Sequence, residues 1–262
     1  MHDAANGGSG TFTAEIAYEY QINISVDHMK IPASENDSQP QVLSLSVHSS
    51  CSRFVFFTLL FALGWNFTSS LVGWGWPTAT IISFGLVSAF TWYVWRRHEY
   101  VLGRILLFGL TTGWTELLAD RWLVETTGTL LYLPGGPFVV SSPLYMPFAW
   151  TVVVTQLGYF GWWMGKRWGL PAASLLIALF GAVNIPLYEQ WAKNANWWYY
   201  RNTPMLGNTP WYIIAGEFLI ALSLPVAIAL VEKKHWSLSI CAGVVQGLWV
   251  GVSYGLAFWL LG

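Results

Sequence analysis

Seven apolar runs of about one span length each, separated by short polar breaks, constrain this chain more than any other feature; they cover residues 54–74, 77–95, 101–120, 144–165, 170–189, 210–231 and 236–261. A helix crossing the hydrocarbon core of a bilayer needs about 20 predominantly apolar residues. The pattern therefore predicts an all-α, polytopic transmembrane helix bundle of about seven spans over residues 53–262. Composition points the same way: 10% of the residues are charged, against about 25% in soluble domains. The 18 Trp and 12 Tyr suit the two interfacial belts, where an amphipathic ring keeps one edge wet and the other apolar.

The breaks carry the orientation. With seven spans, Arg53, Arg96, Arg97, Lys166, Arg167, Lys233 and Lys234 fall on one side and Arg121, Lys193 and Arg201 on the other. Basic loops stay cytoplasmic, so this asymmetry predicts a cytoplasmic N-terminus, an external C-terminus and a multi-pass cell-membrane protein. The stretch before the first span, residues 1–52, is polar and mixed and reads as a mostly disordered cytoplasmic tail with a short strand-like piece at 22–26. It lacks a basic segment followed by an apolar one, which predicts no cleaved signal peptide. Asn23 and Asn36 match the glycosylation acceptor pattern but fall on the cytoplasmic side.

The two long connections, 121–143 and 190–209, lie together on the outer side and are rich in Gly, Pro, Thr and aromatic residues. Such asymmetry places the working or partner-binding face there. Ionisable groups inside a membrane are costly and mark functional candidates. Glu116 and Asp120 share a face near the outer end of the third span, with Thr112 extending that face inward. Glu189 ends the fifth span, and Glu217 lies about 10 Å below the outer boundary of the sixth. For Asp120 and Glu189 a helix-end role is the competing reading, with Arg121 a local partner for Asp120. For Glu217 the competing reading is a structural pairing with Arg201 or Asn208. Arg104 is expected to snorkel to the cytoplasmic surface.

The last span carries Gly243, Gly247, Gly251 and Gly255 at steps of four, which makes one helix face flat over about 18 Å. Close packing against a neighbouring helix is the first expectation for that face. A homo-oligomer seam, a partner helix or a slot for a rigid lipid are the others. No internal repeat stands out along the chain.

Several chemistries are set aside. The five His residues all lie outside the spans, which removes a multi-histidine di-iron site, and the absence of Lys from the seventh span removes a retinal Schiff base. Cys51 and Cys241 sit at opposite ends of the spanning region and make neither a disulfide framework nor a metal site. The net charge of -1 gives no pull toward nucleic acid. No Walker loop, nucleophile elbow or dinucleotide fingerprint is present, and no metal or nucleotide cofactor is expected.

From Glu116 to Trp150 the chain resembles the carotenoid-hydratase family of polytopic membrane proteins. The residues carrying the resemblance are Glu116, Thr127-Gly128, Tyr132 and the stretch Pro143-Leu144-Tyr145-Met146-Pro147-Phe148-Ala149-Trp150. A second acid, a Trp-rich loop and a Gly-x-Pro turn are also similar, carried by Glu189, Trp197, Trp198, Gly207 and Pro210. The chain departs from that family in having no Phe-Gly after Thr-Gly and in having Glu189 where the family has Asp-Pro. The resemblance implies a broader class, membrane enzymes that protonate a polyisoprenoid double bond, integral-membrane terpene cyclases among them.

The residues suit that chemistry. Protonating an alkene requires a carboxylic acid in a site of low dielectric, and aromatic faces stabilise the resulting carbocation. Glu116 and Glu217 are the first candidates for the acid, with Asp120 and Glu189 beside them, and Trp150, Trp197, Trp198, Tyr199 and Trp211 are the candidate substrate-binding aromatics. The leading expectation is an isoprenoid- or lipid-modifying enzyme with an outer-half cavity roofed by the 190–209 connection and an apolar isoprenoid substrate. The alternative is a non-enzymatic transporter or assembly subunit that binds a partner through its outer loops and the glycine-faced helix.

Overall fold

The computed structural model describes residues 39–232 and 235–262, with side chains from residue 50 onward. The expected tail up to residue 38, with its strand-like piece and both acceptor sites, lies outside the described residues. The described residues form seven α-helices: α1 (Gln39–Val72), α2 (Trp76–Arg97), α3 (Tyr100–Arg121), α4 (Met146–Trp168), α5 (Leu170–Asn194), α6 (Trp211–Val231) and α7 (Trp236–Leu261). A π-helical turn, Trp122–Thr127, prolongs α3. Among the described residues six segments are long and apolar enough to cross a membrane: Ser50–Val72, Trp76–Arg97, Tyr100–Thr127, Leu170–Asn194, Trp211–Val231 and Trp236–Leu261. The chain is an all-α multi-pass membrane protein.

Helix α4 is not among those six, and its place in the bundle explains the polar residues it carries. It packs against α2, α3, α5 and α6, so Thr151, Thr155 and Gln156 are buried among helices rather than turned to lipid. Three of its contacts are very close. A Cβ added at Gly113 of α3 would stand 2.1 Å from the carbonyl oxygen of Pro147, and one at Gly109 would stand 2.9 Å from that of Thr151. On α4 itself a Cβ at Gly161 would stand 2.8 Å from the ring of Pro225 on α6.

The glycine face of α7 packs on the opposite side of α3. A Cβ at Gly243 would lie 1.8 Å from Thr111 Oγ1, and one at Gly247 would lie 2.5 Å from Thr115 Cβ. The contact loosens toward the C-terminal end of α7: at Gly251 the nearest atom is Ala119 Cβ at 3.7 Å, and at Gly255 nothing lies within 4 Å. The first half of this face is therefore an intramolecular helix seam.

The basic end of the bundle is held by short turns. Helix α4 passes into α5 through Gly169, whose φ of 82° suits a residue without a Cβ. Arg104, expected to reach freely for the surface, instead donates to the carbonyl of Glu232 and lies 5.8 Å from the ring centre of Trp236. The Glu232 carboxylate accepts from Lys166 Nζ at 2.6 Å and from the Trp162 indole.

At the opposite end the two long connections form a cap of short strands that the hydropathy pattern does not reveal. They are β1 (Leu130–Tyr132), β2 (Phe138–Val139), β3 (Ser142–Pro143), β4 (Trp198–Tyr200), β5 (Met205–Leu206) and β6 (Thr209–Pro210). Strands β1 and β4 pair antiparallel, with Leu131 opposite Tyr199. Each is followed by a hairpin with a two-residue turn: Val139 pairs with Ser142, and Leu206 with Thr209. Each hairpin ends in Ser-Pro-x-Tyr or Thr-Pro-x-Tyr (Ser142 to Tyr145, Thr209 to Tyr212), and the Ser, Thr and both Tyr are buried.

The chain thus contains one unit twice: α3, β1, β2–β3 hairpin and α4, then α5, β4, β5–β6 hairpin and α6. This corrects the reading that no repeat is present. The repeat lies in turn geometry and a three-residue signature, and the apolar helices around it hide the match. The first turn residue has a left-handed backbone in both copies, Gly207 at φ 64° and Val140 at φ 56°. A β-branched side chain in that region is strained by about 1–2 kcal/mol.

Candidate functional site

Beneath the cap the helices enclose a cavity that draws on most of the bundle. Its walls include Leu59, Leu63 and Asn66 of α1, Ser83 of α2, Trp150 and Gln156 of α4, and Phe180, Asn184 and Tyr188 of α5. Asp120, Glu189 and Glu217 reach it from α3, α5 and α6, and Tyr254 reaches it from α7. Mid-helix wall residues Val153 and Phe180 are 37% and 42% exposed, so the cavity lies under the flank that lipid covers.

The cap supplies the roof by strand alternation. Successive residues of a strand point to opposite faces, and the β1–β4 register sets Tyr132 opposite Trp198 and Leu130 opposite Tyr200. Those four line the cavity; Leu131 and Tyr199, on the other face of the ribbon, do not. Tyr199 is therefore not among the cavity aromatics, and Tyr200 takes the place expected of it.

Each carboxyl that lines the cavity holds a different partner. Asp120 accepts from Ser142 Oγ at 2.7 Å and from the Tyr132 hydroxyl. The local partner expected for it, Arg121, pairs instead with Glu125 at 2.8 Å. Glu189 accepts from the Trp198 indole at 2.6 Å. Glu217 accepts from the Tyr254 hydroxyl at 2.6 Å; neither Arg201 nor Asn208 holds it, and Asn208 instead accepts from Lys193 at 2.6 Å.

Glu116 is fully buried one helical turn behind Asp120. It does not line the cavity, and neither of its oxygens meets a hydrogen-bond donor in good geometry. The Asp120 carboxyl and the Trp150 indole are beside it, and Glu217 is within electrostatic reach. Glu189 is within reach of both Glu217 and Asp120. The four acids thus form one neighbourhood, and no Lys, Arg or His lines the cavity.

Two phenols of the roof remain donors. Burial, reinforced by the charge of Asp120, pushes the Tyr132 hydroxyl well above its ordinary value. Burial with the charge of Glu189 does the same for Tyr200. Both groups stay protonated beside the acids.

Two expected aromatics stand elsewhere. Trp197 is buried and its indole donates to Thr78 Oγ1 at 2.9 Å and to the Gly75 carbonyl at 3.0 Å, which fastens the cap to the start of α2. Trp211, the first residue of α6, is 44% exposed and lies outside the cavity. Trp150 and Trp198 line it, together with Tyr132, Tyr188, Tyr200 and Tyr254, which hydropathy alone did not single out. Among the described residues no three His, Cys, Asp or Glu side chains are grouped so as to hold a metal ion.

The family described as a domain of unknown function (DUF6989) matches residues 117–261. That stretch takes in Asp120, Glu189, Glu217, Tyr254, the cap and both copies of the hairpin. No curated protein and no solved structure matches the chain.

Proposed function

We propose that this chain, which belongs to the DUF6989 family, is a lipid-modifying membrane enzyme that protonates a carbon–carbon double bond of an isoprenoid-like substrate. The observation that carries the reading is the cavity: apolar walls under the lipid-covered flank lead to three carboxyls, no cation and a ring of aromatic faces. Lipid reaches such a site from the bilayer, and ionisable groups turned into it from apolar helices mark function.

Glu217 is the acid in this mechanism. Its partner Tyr254 is a hydroxyl that both donates and accepts, so it can hand a proton back after each turnover. Glu189 is tied to the roof by the Trp198 indole, with the Tyr200 hydroxyl beside it, and fixes the cap instead. The Glu217 proton forms a new C–H bond with one alkene carbon, using the π electrons, and leaves a cation on the neighbouring carbon. The faces of Trp150, Trp198, Tyr132 and Tyr200 stabilise that cation. It is quenched by loss of a proton to the Asp120 carboxylate, giving a rearranged or cyclised alkene, or by addition of water, whose surplus proton passes to the same carboxylate, giving an alcohol. Glu116, behind Asp120, shares the proton that Asp120 receives.

Mass spectrometry of lipid extracts from cells with and without the gene tests the reading. The expected result is a new isoprenoid that differs from its precursor by nothing or by one water. A parallel repeat with a cavity at its interface is also found in carriers, and the doubled helix–cap–helix unit favours that second reading. Unchanged lipid chemistry with an altered distribution between membrane and medium supports the carrier and overturns the enzyme.

The orientation belongs to the same proposal: seven spans, an N-terminus in the cytoplasm and the cap outside. Seven Lys and Arg at the short-turn end against three at the cap end support it. A reporter fused at residue 30 or in the 96–100 turn is expected to read as cytoplasmic, and one at residue 135 or at the C-terminus as external. An external N-terminus would overturn this arrangement.

A further inference from the structure

Besides the carboxyls, the cavity walls carry polar groups of another kind. Asn66 of α1, Ser83 of α2 and Asn184 of α5 all line it. Asn66 and Ser83 are 7% and 4% exposed, and among the described residues none of the three side chains makes a hydrogen bond. Unbonded hydroxyls such as those of Ser174 and Ser239 occur elsewhere in the bundle, but an amide left without a partner inside a membrane costs several kcal/mol, so Asn66 and Asn184 carry the point.

Elsewhere this bundle pairs its amides. Gln246 of α7 donates to Ser223 Oγ at 2.9 Å and to the Ile220 carbonyl at 3.3 Å. Gln156, deeper in the same cavity, donates to Thr58 Oγ1 at 3.3 Å. Packing therefore does not account for Asn66 and Asn184, whose amides are turned into open space.

Asn66 and Ser83 match the acid in depth, and Asn184 lies deeper. Asn66 lies six residues before the outer end of α1, Ser83 seven after the start of α2, and Glu217 six after the start of α6, about 9–10 Å in each case. Asn184 lies five residues further inward than Glu189 on α5, about 7.5 Å.

We infer that Asn66, Ser83 and Asn184 form a binding station for an uncharged oxygen function, a hydroxyl or carbonyl, on the lipid that Glu217 acts on. Two amides and a hydroxyl offer both donors and acceptors, which suits a neutral oxygen. A phosphate, diphosphate or carboxylate head would need a cation or a paired guanidinium, and the cavity holds none. The inference rests on the proposed lipid-modifying function and narrows its substrate from a pure hydrocarbon to an oxygen-bearing isoprenoid. The oxygen would anchor one part of the chain on α1, α2 and α5 while a double bond lies against Glu217.

Equilibrium binding to the full chain in lipid nanodiscs tests this with three radiolabelled probes: geranylgeraniol, the hydrocarbon of the same skeleton without the hydroxyl, and geranylgeranyl diphosphate. The wild-type protein is expected to bind the alcohol at least about tenfold more tightly than either of the others, since a site built to bond a hydroxyl rejects the analogue lacking it. Asn66→Leu and Asn184→Leu should lower alcohol affinity to that of the hydrocarbon and leave hydrocarbon affinity unchanged. Equal binding of alcohol and hydrocarbon by the wild type would overturn the polar station and leave the lipid site standing. Preference for the diphosphate would overturn it as well, and binding of none of the three would overturn both the station and the proposed function. The comparison among probes on the wild type decides the matter even where a variant fails to insert.

Discussion

Replacing Glu217 with Gln is expected to abolish formation of the lipid product, by about 10²–10⁴-fold, while the protein still folds and inserts. The amide keeps the shape of the side chain, and its oxygen still accepts the Tyr254 hydroxyl that reaches Glu217 at 2.6 Å; what it loses is the transferable proton. Tyr254 is itself fixed by close packing on α6, since a Cβ at Gly216 would stand 2.3 Å from its ring, so the geometry around the amide is preserved. Glu189→Gln makes the informative comparison, because an amide oxygen there still accepts the Trp198 indole and holds the cap, and its effect on product should be far smaller. Product measured by mass spectrometry, beside yield and thermal stability in detergent, separates the readings. A Glu217→Gln protein that makes normal product, or that loses stability as fast as product, would show that Glu217 holds the bundle together rather than acting on lipid.

The helices and their approximate bounds were legible because the bilayer leaves the backbone few choices: a run of apolar residues long enough to span must be helical. The acids were legible for the same reason, since a Glu in an apolar helix stands out wherever it points. Which acids face a cavity was not legible, because that depends on how helices are arranged around one another, and the mean hydropathy of each run is similar on all sides. Glu116 and Asp120 are one turn apart, yet one is sealed behind the other. The cap was hidden for a different reason. Strands β1 and β4 have three residues each, too few for alternation to register, and each finds its partner only across two intervening helices. Without that pairing nothing in Trp197-Trp198-Tyr199-Tyr200 says that the second and fourth residues face the site, the third turns away and the first fastens α2. Trp211, expected among the substrate-binding aromatics, begins α6, and its position on that helix turns it outward, 44% exposed, away from the cavity.

Alanine at Gly113 and at Gly243 is expected to prevent stable assembly of the bundle, whereas alanine at Gly255 should be neutral. The added methyl at Gly113 would sit 2.1 Å from a backbone oxygen of α4, and at Gly243 it would sit 1.8 Å from Thr111 Oγ1 and 2.5 Å from the Phe108 carbonyl oxygen. Relief in each case requires moving a helix axis, not a side chain, so the cost should exceed the roughly 1–3 kcal/mol of ordinary overpacking. Gly251 is intermediate: an alanine methyl would make ordinary contact with Ala119 Cβ at 3.7 Å, and only a larger side chain such as Leu should disturb the seam. The gradient has a consequence for the site, because α3 is gripped on both faces, by α4 at Gly109 and Gly113 and by α7 at Gly243 and Gly247. That double seam holds Asp120 on α3, Tyr254 on α7 and Trp150 on α4 in register around one cavity. Thermal unfolding of the purified variants in detergent should therefore rank Gly113 and Gly243 far below wild type, with Gly251→Ala and Gly255→Ala close to it. Equal tolerance of Ala at Gly243 and Gly255 would show that the seam between α3 and α7 does not hold the fold.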